Sequence, residues 1–141
     1  MKKMIITLLS FCISFLFVPL ASAADRVVYV SINDAMNSSD AQAKLNAGVK
    51  FSFGGHGELK GNTYTSIQRT NKVGKSDEVA CSRAFLSAMI RLQQRAQSLG
   101  VNSVTNIVSY HQKNTYSSTD NFECHVGAIM AAVTLKGDIA K

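Results

Sequence analysis

Three histidines, three cysteines and one Gly-Lys-Ser triplet are the residues of this chain whose types and spacing could do chemistry. Gly74-Lys75-Ser76 stands where a strand meets a helix, the place of a phosphate-binding loop. That loop needs a further glycine five positions before Gly74, and the position holds Arg69. Half the motif cannot build the nest of backbone N–H groups that cradles phosphate, so Ser76 reads as a helix cap. His56, His111 and His125, with a cysteine, are the set a metal ion would use. No CxxC or HxxxH spacing supports it. Adjacent Cys124 and His125 point to opposite faces of a strand. If the last hairpin pairs symmetrically about its loop, His111 faces Phe122 and His125 faces Val108. The two rings then stand about 10 Å apart on different faces, and a one-residue slip would change this. His56 sits in a glycine-rich loop and reads as solvated. No metal and no cofactor are expected, with those three histidines as the alternative. Serines abound, but none lies in a GxSxG elbow, and paired carboxylates are scarce, so no catalytic residue and no enzyme are expected.

What positions these residues depends on where the mature chain starts. Lys2 and Lys3 precede a mostly apolar run, Ile5 to Val18, then Pro19 and Ala21-Ser22-Ala23. This is the pattern of a secretory signal cut after Ala23. The run falls short of the roughly 20 residues of a spanning helix. Bulky Phe11 before Cys12 argues against a lipoprotein, so the mature protein is expected to be periplasmic, with no stable membrane anchor. Of 141 residues 118 then remain, with 13 basic and 9 acidic side chains and a net charge of +4. That length suits one modest domain. The basic residues are scattered and form no nucleic-acid motif, so no nucleic-acid partner is expected. Cys81 and Cys124 are left as the only thiols. In an oxidising compartment they read first as one disulfide, against free thiols or metal ligands. Closing 43 residues contributes about 4 kcal/mol by the chain-entropy argument.

The strongest element is a helix from about Asp77 to Leu99. Ser76 caps it, Asp77 and Glu78 suit its positive end, and Gly100 stops it. Cys81, Phe85, Ala88, Leu92, Ala96 and Leu99 fall on one face, which must pack on a sheet. Val79, Leu86 and Ile90 form a second stripe beside Arg83. The N-terminal segment or a partner chain must cover that stripe, and these four residues are the expected contact surface. Strands are expected at Val49–Phe53, Tyr64–Val73, Val101–His111 and, as one long strand, Phe122–Leu135. Residues 24 to 48 read as an arm with a short β-like run, Arg26–Val30, and one or two helical turns. Gln112 to Asn121 reads as a polar loop. If Cys81 lies on the core face of the helix, Cys124 must lie on the sheet beneath it.

Asp77-Glu78-Val79-Ala80-Cys81, Ala84-Phe85-Leu86-Ser87-Ala88, Leu92-Gln93-Gln94-Arg95-Ala96 and Leu99-Gly100-Val101-Asn102-Ser103-Val104 resemble a group of small exported bacterial proteins. Phe122-Glu123-Cys124, Gly127-Ala128-Ile129-Met130-Ala131 and Leu135-Lys136-Gly137-Asp138 extend the likeness, as do Val49-Lys50-Phe51 and Asn71-Lys72. Such proteins often carry the automatic name excinuclease ATPase subunit, which the incomplete phosphate loop and the leader contradict. More distantly, the helix, the Leu-Gly-x-Asn-x-Val turn and the last strand resemble the YbjQ-like fold, shared by the signalling domain of RcsF. The resemblance implies an α+β domain over residues 49 to 141, one long helix packed on a small antiparallel sheet, with residues 24 to 48 as a short N-terminal arm. It places Cys81 and Cys124 at the two ends of one RcsF-type bridge. It implies action through protein contacts and leaves self-association open. The expected function is therefore a non-catalytic periplasmic binding or interaction module. A periplasmic metal-binding protein is the alternative.

Overall fold

The computed structural model describes residues 25–55 and 62–139. The expected leader and His56 lie outside them. In chain order the elements are β1 (Arg26–Ser31), α1 (Ile32–Met36), α2 (Ser39–Lys44), β2 (Lys50–Phe53) and β3 (Asn62–Asn71). There follow α3 (Asp77–Ser98), β4 (Ser103–His111), β5 (Asn114–Tyr116), β6 (Asn121–Val126) and β7 (Met130–Ile139).

This is a mostly sheet protein, with 44% of its described residues in strands and 30% in helices. The expectation of one long helix on a small antiparallel sheet with an N-terminal arm is thereby corrected. Seven strands form the sheet, whose path β1-β6-β7-β4-β2 curls into half a barrel. β3 pairs with β7, and β5 pairs with β4. β2 runs parallel to β4, and every other pairing is antiparallel.

The extra strands have local causes. β1 alternates exposed Val27 and Tyr29 with inward Val28 and Val30, and it pairs along its whole length with β6. The polar stretch after His111 hides a hairpin. Gln112 and Lys113 adopt φ of 48° and 65° between the paired residues His111 and Asn114. Two positive φ values are what a type I′ turn requires. The apolar run from Phe122 breaks at a two-residue loop, Ala128-Ile129, where the Gly127 N–H donates to the Met130 carbonyl at 2.9 Å. The long strand is thus two, β6 and β7. β7 is the hub, pairing with β3, β4 and β6.

α3 fills the concave side of this curl, packing chiefly on β7 and β3. Ser76 Oγ accepts from the Val79 N–H at 3.2 Å, and Asp77 and Glu78 occupy the first turn. Gly100 ends the helix at φ 67°, a conformation cheap only for glycine. Cys81, Phe85, Ala88, Leu92 and Ala96 are buried, as their spacing requires. The buried face is wider than that stripe, taking in Ala80, Ala84 and Met89. Phe85 stacks on Phe122 of β6 at 4.2 Å and reaches Phe53 of β2 at 6.1 Å, so one ring joins helix to both flanks of the sheet. Strands β4 and β7 approach closely at Gly137, where a Cβ would stand 2.8 Å from Val104.

Candidate functional site

The second stripe of α3 has two environments. Leu86 is buried, Ile90 is half-buried, and Val79 is 46% exposed. α1 packs against α3, and α2 is held beside it through Gln93. The Gln93 Oε1 accepts from the Asn46 N–H at 2.6 Å, and its Nε2 donates to the Lys44 carbonyl at 3.4 Å. Gln93 is buried for that reason, although its type belongs outside. The N-terminal segment therefore covers the stripe in part. Between α2 and α3 it leaves a shallow groove of about 250 Å³, lined by Ser38, Asp40, Glu78, Val79, Arg83 and Leu86. A second hollow continues past Arg83 and Leu86 to Ile90, with Asp40 and Lys44 opposite. Val79, Arg83, Leu86 and Ile90 thus line two adjoining hollows, the first mainly apolar beside Val79 and the second mainly polar toward Ile90.

Cys81 and Cys124 are joined in a disulfide, with Cα atoms 5.8 Å apart and both side chains fully buried. The bond staples the first turns of α3 to β6, leaving no free thiol among the described residues. Near it, Asp77 binds Arg26 of β1 and also accepts from Lys72 Nζ at 3.0 Å, so the helix start is held to an edge strand. The Gly74-Lys75-Ser76 triplet is engaged in local structure. Ser76 caps α3, and Lys75 Nζ donates to the Asn71 carbonyl at 3.1 Å.

His111 and His125 come together where the sequence reading set them apart. Their rings stack with centroids 3.4 Å apart and planes inclined by 13°. The symmetric hairpin assumed from sequence does not form. β4 pairs with β5 and β7, β6 pairs with β1 and β7, and the ends of β4 and β6 meet where these pairings fork. At the fork Ser109 Oγ accepts from the Glu123 N–H at 2.9 Å. Glu123 and His125, two apart on β6, share the face opposite the core residues Phe122 and Cys124. Their side chains are bonded, Oε1 to Nε2, at 2.6 Å. Val27 and Tyr29 stand across from them on β1, and Tyr29 packs on Tyr116 of β5 at 4.9 Å. His111 lies below its ordinary value of 6.5 because burial, then the neighbouring His125, disfavours its charged form. Arg69 adds to this, while Glu123 and Asp25 oppose it.

This arrangement is poorly suited to chelation. Nitrogen lone pairs lie in the ring planes, and planes this nearly parallel do not converge within the ~2 Å reach of a metal–nitrogen bond. Among the described residues no three His, Cys, Asp or Glu side chains are placed to hold an ion. His56, the third member of the alternative metal set, lies outside the described residues. The histidine pair was hidden from the sequence because it depends on which strands flank β7. Comparisons with protein-family models, with curated proteins and with solved structures find no match.

Proposed function

We propose that this protein is a non-catalytic binding module of the periplasm, exported by a leader cut after Ala23. In this reading it contacts a protein partner through Val79, Arg83, Leu86 and Ile90. The observation that carries the reading is the groove between α2 and α3. The N-terminal segment leaves that part of the helix open, with exposed Val79 at one end, half-buried Ile90 at the other and Arg83 between them. The leader and the likeness of residues 77 to 138 to small exported proteins support a place in the envelope. The engaged Ser76 and Lys75 support a role without nucleotide hydrolysis.

Photo-crosslinking from positions 79 and 90 in intact cells tests it. A discrete adduct, lost in Arg83→Glu protein and absent when the crosslinker is placed at exposed Thr65 on β3, is the expected result. Equal labelling from all three positions overturns the contact surface. Stoichiometric zinc or copper binding by the oxidised protein, abolished in His111→Asn and His125→Asn variants, overturns the reading in favour of a metal-binding protein. Intact mass settles export separately. Protein from the periplasm is expected to begin at Ala24 and to be two hydrogens light until reduced.

A further inference from the structure

The β4–β5 hairpin stands away from the hub strand, because β4 leaves β7 beyond Ser109 and turns into β5. What fastens its free end to the rest of the sheet is local. Ser109 holds the Glu123 N–H, His111 stacks on His125, and Lys136 of β7 lies over the Tyr110 ring. Tyr116 packs on Tyr29, and Ser117, just past β5, bonds the backbone of Gly55. Of these contacts only the histidine stack changes character with pH near neutrality. Two neutral rings, or one neutral and one protonated, can lie face to face. Two imidazolium rings 3.4 Å apart repel at a distance where solvent screens poorly.

The charges facing His111 set how many protons the stack tolerates. Glu123 of β6 and Asp25, just before β1, favour a positive ring, and Arg69 of β3 disfavours it. His125 is bonded to Glu123 on its own strand. Opposite it β7 presents Ala132, across which β3 places Arg69, while Lys136 of β7 lies over the Tyr110 ring at 4.3 Å. The facing carboxylates favour a first proton on the pair, and the short spacing of the rings disfavours a second.

We propose that the His111–His125 stack is a proton-sensitive latch. Carrying at most one proton, it holds the β4–β5 hairpin against β6 and β1. When acid places a proton on both rings, repulsion releases the hairpin and parts Tyr116 from the already exposed Tyr29. This device is independent of the groove on α3 and of any partner there.

Amide-exchange protection factors at pH 7.5 and pH 5.0, measured on the oxidised full-length mature protein, test the latch. Protection at Asn114 and Tyr116, whose N–H groups face β4, is expected to fall severalfold at the lower pH while α3 keeps its own. His111→Asn and His125→Asn proteins should show no such selective fall. A fall spread equally over α3 and β5, or one that persists in both variants, overturns the proposal. If either variant fails to fold, imidazole resonances of the wild-type protein decide. Mutual ring-current shifts of the two histidines must vanish once both rings are protonated, and their persistence overturns the latch.

Discussion

His111 owes its lowered affinity for protons to what folding does to it, so its titration is also a statement about stability. Burial and the facing His125 make the imidazolium less welcome in the folded protein than in the unfolded chain. Below about pH 6.5 the unfolded chain therefore binds this proton more readily, and protonation favours unfolding. The stability associated with neutral His111 is complete above that value and is lost as pH falls through the lower, folded one. Urea midpoints should accordingly decrease from pH 7.5 to pH 5.0, and His111→Asn should flatten that acid limb. An unchanged slope would place the titrating group elsewhere. Sequence alone identified His111 and His125 as chemically able residues. It could not see them as a pair, because the ring contact spans two strands that are not hydrogen-bonded partners and meet only at a fork.

Among the elements, α3 was the most legible. Its cap, acidic first turn, apolar spacing and terminal glycine all agree, and local agreement of that kind leaves few alternative structures. Its seat on β6 was legible through the cysteines. Cys81→Ser and Cys124→Ser should each lower stability by about 4 kcal/mol, with the double variant no worse than either, since both remove one loop closure. Additive losses in denaturant unfolding would mean that the two sulfurs act separately. β5 was illegible because its turn is made of the wrong residues. Gln112 and Lys113 occupy left-handed conformations that usually call for Asn-Gly, and a non-glycine residue there costs roughly 1–2 kcal/mol. The break between β6 and β7 was hidden for the opposite reason. Ala128 and Ile129 continue the apolar run, so the turn carries no polar punctuation. Replacing Gln112-Lys113 by Asn-Gly should stabilise the protein by about 1 kcal/mol and raise exchange protection at β5. A loss of stability would show that the native side chains make contacts that outweigh the backbone strain.

At the scale of the molecule, the segment read as an arm is part of the sheet. β1 closes one edge of the half-barrel beside β6. Val30, Ile32, Ala35 and Ala41 are all under 7% exposed, the first three in the same core cluster as Phe122 and Cys124. Sequence reading drew its boundary at Val49 because Gly48 ends the segment and the asparagine and serines around Asn37 to Ser39 interrupt any long helix. In the fold the serines of this segment cap two short helices. Ser31 accepts from the Asp34 N–H, and Ser38 accepts from the Ala41 N–H. Burying a large aliphatic side chain contributes about 1.5–3 kcal/mol. Val30 and Ile32 together therefore represent a large part of the about 5–15 kcal/mol by which small domains are stable. The Arg26 contact to Asp77 and the Asn46–Gln93 bond would be lost with them, the latter leaving a buried amide unsatisfied. A chain beginning at Val49 should consequently lose its cooperative thermal transition and expose core surface to an apolar dye, even with the disulfide formed. A sharp transition near that of the longer chain would instead make residues 49 to 139 self-sufficient, with β1 an accessory strand.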